Sequence, residues 1–214
     1  MNSDRTEKKD WTGNASGVWK TVGASNHAVG DREKDDYYAT DPSAVDKLLS
    51  VERPHRLIWE CAAGGGHLAR RLTEHGFEVY ASDICGRGYP LDARLDFLTA
   101  TWFDIPRGMA DIFDILTNPP YKYAKEFVLK AMELLPQGGR CYMFLKLTFL
   151  EGRARRKMLF DRMPPRTIYV FSDRMFCAKN GEFDAMREMG GGAVAYAWYV
   201  WEQGYQGETV VKWI

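Results

Sequence analysis

From about Tyr37 onward, short apolar runs alternate with amphipathic segments, and this alternation confines the chain to strands interleaved with helices. The pattern is clearest at Leu57-Ile58-Trp59-Glu60-Cys61, a buried strand that Gly64-Gly65-Gly66 turns into a helix carrying Leu68 and Leu72 and ending near Gly76. Upstream, Asp41 caps a helix with Pro42 at its first position and Val45, Leu48 and Leu49 on its apolar face. Downstream, Phe77 to Ala81 forms the second strand with Asp83 at its end, and Leu95 to Phe97 reads as a short third. The fourth runs from Ile112 to Leu116. A helix from Ala124 to Leu135 then stops at Pro136 and Gly138-Gly139. Cys141 to Leu147 is a fifth, very apolar strand, Arg153 to Phe160 a basic helix, and Thr167 to Phe171 another strand. Ala193 to Trp201 is the most strand-like run, and Thr209 to Ile214 adds an edge strand. Trp198, Trp201 and Trp213 read as core or sheet cover.

The length of 214 residues matches one ordinary α/β domain with a sizeable core. Residues 1–36 carry isolated apolar residues such as Trp11 and Trp19 without a period, so they read as an irregular or partly disordered arm before a catalytic domain over 37–214. No apolar run approaches the ~20 residues a membrane span needs, and Met1 to Asp10 is polar and charged, unlike a secretory signal. Cys61, Cys85, Cys141 and Cys177 are scattered with no Cys-x-x-Cys pair. They read as reduced thiols of a cytoplasmic protein, neither a disulfide framework nor a zinc site. The 29 basic side chains balance 29 acidic ones, which excludes a globally basic nucleic-acid binder but leaves room for a local patch.

Two turns carry chemistry. The first spans Glu60 to Gly66, where glycines bring backbone amides close to a ligand at a helix N-terminus. Asp83, ending the next strand, stands where a carboxylate accepts ribose hydroxyls. Glu60 is a charge in an otherwise apolar strand end, expensive unless it has a job. A dinucleotide fold uses similar glycines, but Gly-x-Gly-x-x-Gly is absent because Ala69 takes the third place; acid-x-x-x-Gly-x-Gly describes the segment better. The second turn is Asn118-Pro119-Pro120-Tyr121, after the apolar-acidic run Asp111 to Thr117. It makes a rigid, aromatic-walled pocket with hydrogen-bond acceptors, suited to a planar group bearing an NH2.

In this order, residues 37 to 201 resemble the catalytic domain of S-adenosylmethionine-dependent, adenine-specific amino-group DNA methyltransferases of the small phage and prophage type. Tyr38-Ala39-Thr40-Asp41-Pro42 resembles the Thr-Pro-type segment over the cofactor's methionine part, with an Asp inserted. Glu60, Ala62, Gly64 and Gly66 match the Gly-rich motif, Asp83-Ile84 the ribose-binding acid and its neighbour, and Asp96-Phe97 the adenine-contacting pair. Asn118 to Tyr121 matches the catalytic motif throughout. The resemblance implies a Rossmann-like class I α/β fold: a mostly parallel seven-stranded sheet with one antiparallel strand and helices on both faces. It implies S-adenosylmethionine as cofactor, DNA as partner and no metal. Asn118 and Pro119 would accept the two amino hydrogens, while Tyr121 stacks the extruded base.

Lys146, Arg153, Arg155 and Arg156 are candidate substrate contacts, being basic and near the fifth strand's C-terminal end; a solvated helix face or a snorkelling lysine is an equal reading. Asp173 to Gly192, with Phe176, Lys179 and Asn180, is the candidate target-contacting loop, and His67, on the helix after the glycines, reads either as a cofactor contact or, as is more usual for helix-surface histidines, as passive. The same tetrapeptide occurs in enzymes acting on RNA bases or a protein glutamine amide, and a non-catalytic cofactor- or DNA-binding module is a further alternative. About 13 residues follow the last long strand, leaving no separate recognition domain, so a short recognition sequence, a partner or a homo-oligomer is expected.

Overall fold

In a computed structural model that describes residues 39–106, 108, 112–175, 177–178, 183 and 194–214, the apolar runs form an eight-stranded mixed sheet. The elements, in chain order, are β1 (Ala39–Thr40), α1 (Ser43–Val51), β2 (Leu57–Glu60), α2 (His67–Glu74), β3 (Glu78–Asp83), β4 (Ala93–Arg94) and β5 (Asp114–Thr117). They continue with α3 (Ala124–Leu134), β6 (Arg140–Lys146), α4 (Arg153–Arg155), β7 (Thr167–Val170), β8 (Cys177–Ala178), β9 (Tyr196–Glu202) and β10 (Val210–Trp213). The sheet order is β10-β7-β9-β6-β5-β2-β3-β4, and β9 alone runs against its neighbours β6 and β7. From β2 the chain steps outward to β3 and β4, then returns to place β5 on the other side of β2. Such a reversal opens a crevice beyond the carboxyl ends of the two strands.

Period-two alternation sends neighbouring strand residues to opposite faces. Ile58, Leu116, Tyr142, Phe144, Trp198 and Val200 pack under α1 and α2 through Val45, Leu48, Leu68 and Leu72. Trp59, Ile115, Cys141, Met143, Tyr199 and Trp201 face α3 and meet Phe127, Val128 and Ala131. Both faces are therefore covered, as near-continuous apolar strands require. Asp41 Oδ1 accepts from the Ser43 backbone N–H at 3.0 Å, capping α1 as its sequence suggests. At the amino ends of the strands, the buried Asp114 accepts from His55 N at 2.7 Å, His55 Nδ1 at 2.8 Å and Arg140 N at 2.7 Å. One carboxylate thus ties the connection before β2 to β5 and β6. Burial raises its pKa, and these donors oppose that shift.

The eighth strand, β10, pairs in parallel with β7 and is the edge strand expected over Thr209 to Ile214, one more than the seven the resemblance implies. Three details depart from the sequence reading. The third strand is Ala93–Arg94 rather than Leu95 to Phe97. Asp96 Oδ1 accepts from Leu98 N at 3.0 Å and turns Phe97–Thr99 into a 3₁₀ helix. Beyond α4, Arg156–Phe160 is π-helical, the Asp161 amide reaching Arg156 O five residues back at 2.8 Å. Trp198 and Trp201 are buried, but Trp213 on edge strand β10 is 70% exposed. The arm with Trp11 and Trp19 lies outside the described residues, as do Tyr38, Phe176, Lys179, Asn180 and the glycines at 190–192. Among the described residues, no helix is long and apolar enough to cross a membrane.

Candidate active site

A cavity of about 620 Å³ opens at the carboxyl ends of β2, β3 and β5, within the range that holds nucleotide-sized ligands. Its first wall is the β2–α2 turn. Gly66 has φ +75°, the left-handed region, and a Cβ there would collide with the Tyr89 ring, so glycine is required on both counts. Asp83 holds this turn closed: Oδ2 accepts from Gly64 N and Oδ1 from Cys85 N, both at 2.8 Å. Each carboxylate oxygen retains a lone pair for a further donor. Beside it lies Glu60, 1% exposed, whose Oε1 accepts from Ala62 N at 3.3 Å while Oε2 is buried without a hydrogen bond among the described residues. Burial pushes this carboxyl up to about 8, with Thr117 and the Ala62 amide pulling it partly back.

Ile84, 56% exposed, and Asp96 line the same cavity beyond Asp83. Phe97 lines it from beneath, its ring edge-on to Trp59 at 5.3 Å and tilted against Phe127 at 5.1 Å. Ala62 completes this side. These groups fit an adenosine-type ligand with a cationic tail: hydroxyl acceptors at Asp83, apolar surfaces at Ile84 and Phe97, and a buried carboxyl at Glu60.

The second wall begins where β5 ends at Thr117, because the prolines of Asn118-Pro119-Pro120-Tyr121 lack the N–H a ladder needs. All four residues line the cavity, so the turn at β5 and the Gly-rich turn at β2 open into one space. Asn118 Nδ2 donates to Thr40 Oγ1 at 2.8 Å and points at Cys177 Sγ 3.8 Å away. The Tyr121 hydroxyl lies 3.3 Å from the same sulfur, and Lys146 Nζ stands 4.6 Å from the centre of the Tyr121 ring. Burial raises the Tyr121 hydroxyl well above its ordinary value and the Cys177 thiol up to about 11, so both are neutral at physiological pH.

Sequence reasoning located Thr40, Glu60, Ala62, Asp83, Ile84, Asp96, Phe97 and Asn118 to Tyr121 on this cavity, with Lys146 against it. It missed Cys177, which reaches the site because β1 and β8 form a two-residue antiparallel ladder pairing Thr40 with Cys177. His67 lines the cavity, its ring is edge-on to Phe183 at 5.6 Å, and burial, aided by Arg70, lowers its pKa. The basic segment divides. Arg153 and Arg156 are exposed, Arg156 lying 3.4 Å from Asp161. Arg155 instead donates to the Phe149, Thr148 and Glu151 carbonyls and stacks over the Phe149 ring, fastening the loop after β6.

No protein-family model matches the sequence, and no curated protein is significantly similar to it. Among solved structures, a Lactococcus lactis protein described as a hemolysin superposes with a TM-score of 0.56 at 13% identity, over 83% of this chain and 94% of its own. A Listeria monocytogenes protein described as a class I S-adenosylmethionine-dependent methyltransferase gives 0.55 at 10% identity, over 87% and 68%. A Vibrio vulnificus protein described as the modification subunit of a type I restriction enzyme gives 0.55 at 16% identity, over 85% of this chain and 46% of that one. The fold shared with these proteins is that of class I methyltransferases: a mostly parallel sheet with one antiparallel strand, flanked by helices.

Proposed function

We propose that this protein transfers a methyl group from S-adenosylmethionine to the exocyclic amino group of adenine in DNA. The observation that carries the reading is the shared cavity: Asn118-Pro119-Pro120-Tyr121 opens into the space walled by Glu60, Asp83 and Asp96. Bound there, the cofactor supplies an electrophilic methyl on a sulfonium. Asp83 would receive its ribose hydroxyls, Ile84 and Phe97 would hold its adenine, and Glu60 would meet its cationic end. An acceptor amino group donates one hydrogen to Asn118 Oδ1 and the other to the Pro119 carbonyl. With both hydrogens held, the nitrogen lone pair is freed from the aromatic ring to form the new N–C bond; the sulfonium sulfur would keep the C–S bond electrons as a thioether, and the surplus amino proton would leave to solvent. Catalysis is then mostly alignment, and Tyr121 supplies the stacking surface for an extruded base.

DNA is favoured over other acceptors by the exposed Arg153 and Arg156 and by the fold shared with a restriction-modification subunit. The test is sequencing that maps modified adenines in DNA from cells expressing the wild type and Asn118→Ala. Adenine methylation that requires Asn118 is the expected result. Background methylation in cells making folded wild-type protein that binds S-adenosylmethionine would remove the DNA assignment. Undiminished transfer by Asn118→Ala would remove the catalytic one.

A further inference from the structure

An acceptor mechanism built on Asn118 works only if its amide is turned the right way. Rotation by 180° exchanges the oxygen that accepts an amino hydrogen for an NH2 that repels it. Neither β5 nor the prolines decide this, since both act on the backbone. Among the described residues, two polar groups that meet the amide come from segments remote in sequence. Thr40 ends β1, Cys177 begins β8, and the antiparallel ladder pairs them directly. Thr40 Oγ1 receives the Asn118 Nδ2 hydrogen at 2.8 Å, and Cys177 Sγ lies 3.8 Å from the same nitrogen. Thr40 is 3% exposed, so water does not compete for that bond.

We propose that Thr40 and Cys177 are positioning residues: together they hold the Asn118 amide with its nitrogen turned away from the acceptor and Oδ1 presented to it. This rests on the methyl-transfer reading above for its purpose, but the geometry it invokes belongs to the ligand-free protein. A threonine hydroxyl can donate as well as accept, so Thr40 alone would tolerate either amide orientation. Cys177 removes the ambiguity. Its thiol stays neutral because burial raises its pKa, and its sulfur stands 3.8 Å from Asn118 Nδ2 and 3.3 Å from the Tyr121 hydroxyl. The amide NH2 has one hydrogen for Thr40 Oγ1 and one for this sulfur, whereas an amide oxygen turned the same way would face the lone pairs of both. The same sulfur ties the Tyr121 hydroxyl, so amide and stacking ring are set by one small network. A serine at 177 preserves this logic; an alanine abolishes it.

The experiment compares Thr40→Val, Thr40→Ser, Cys177→Ala and Cys177→Ser with the wild type. It measures kcat on adenine-containing DNA, the Kd for S-adenosylmethionine and the melting temperature. Thr40→Val preserves shape but removes the acceptor. A fall in kcat of roughly 100-fold is expected, with cofactor Kd within about twofold and substantial rescue by Thr40→Ser. Cys177→Ala is expected to lose roughly 10-fold, and Cys177→Ser to lose less. Unchanged kcat in Thr40→Val overturns the proposal. So does a loss of cofactor affinity that accounts for the fall, which would make Thr40 a cofactor contact. A second readout needs no turnover: in Asn-selectively ¹⁵N-labelled protein, the Asn118 NH2 should be protected from solvent exchange in the wild type and Thr40→Ser but not in Thr40→Val. Wild-type protein that methylates nothing would defeat the proposed function, and amide protection alone would then decide the positioning. An unprotected wild-type amide overturns it.

Discussion

Replacing Glu60 by Gln should stabilise the ligand-free protein, by an amount that grows with pH. The carboxyl is fully enclosed at the end of β2 with one oxygen lacking a hydrogen bond, and its pKa rises from 4.5 to about 8. Folding therefore forces it to remain protonated where the unfolded chain would ionise. Because the folded value is the raised one, stability linked to this group is intact below pH ~4.5, declines as pH rises and stops declining above pH ~8. The cost is about 1 kcal/mol at pH 5, about 3 at pH 7 and about 5 at pH 9. Gln does not titrate, retains an oxygen for the Ala62 amide and has a donor to offer Thr117. At pH 7 its gain should appear as roughly 6–12 °C in melting temperature for a domain of this size. Thermal or urea unfolding of both proteins at pH 5, 7 and 9 isolates the effect, since every other titrating group cancels in the difference. An advantage for Gln that is equal at pH 5 and pH 9, or absent at pH 9, would refute the reasoning.

If Glu60 ionises to meet a cationic ligand, S-adenosylmethionine binding at pH 7 should release roughly one proton from wild-type protein and none from Glu60→Gln. Calorimetry in buffers of different ionisation enthalpy counts it. Asp114→Asn leaves one oxygen and adds an NH2 facing amide donors, so it should cost about 2–3 kcal/mol, read as a lower urea midpoint with an unchanged slope. The three arginines should separate: Arg153→Ala and Arg156→Ala should each lower the salt slope of DNA binding by about 1, whereas Arg155→Ala, which releases the carbonyls of residues 148, 149 and 151, should lower the melting temperature instead.

What could be read from the sequence follows from how local each cause is. Asp41 and Pro42 specify the start of α1 within three residues, and Gly66 has only its own φ and the Tyr89 ring to satisfy. The alternation of Ile58 with Trp59, and of Ile115 with Leu116, assigns each side chain to a sheet face without knowledge of its neighbour. Leu95 to Phe97 misled because its apolar residues look like a strand, while the decisive bond from Leu98 N to Asp96 is a side-chain capture that hydrophobicity does not register. The split among Arg153, Arg155 and Arg156 was likewise hidden, since charge alone does not reveal which guanidinium turns back onto its own chain.

Cys177 marks the limit of that reading. It falls in the candidate target-contacting loop, but nothing in that segment ties it to Asn118, and its ladder partner, Thr40, lies more than a hundred residues earlier. The tetrapeptide at 118–121 supplies acceptors and an aromatic ring, and on the proposed positioning their orientation comes from this long-range pairing. Backbone motifs that must bend in a particular way carry their own signature in Gly and Pro. Side chains that must point in a particular way depend on whatever the fold brings alongside. An Asn-Pro-Pro-Tyr turn is therefore a statement about shape, and the amide's direction is a property of β1 and β8. Sequences sharing the turn but lacking a hydroxyl at the Thr40 position and a polar group at the Cys177 position should hold the amide less firmly and turn over more slowly, however well they bind the cofactor.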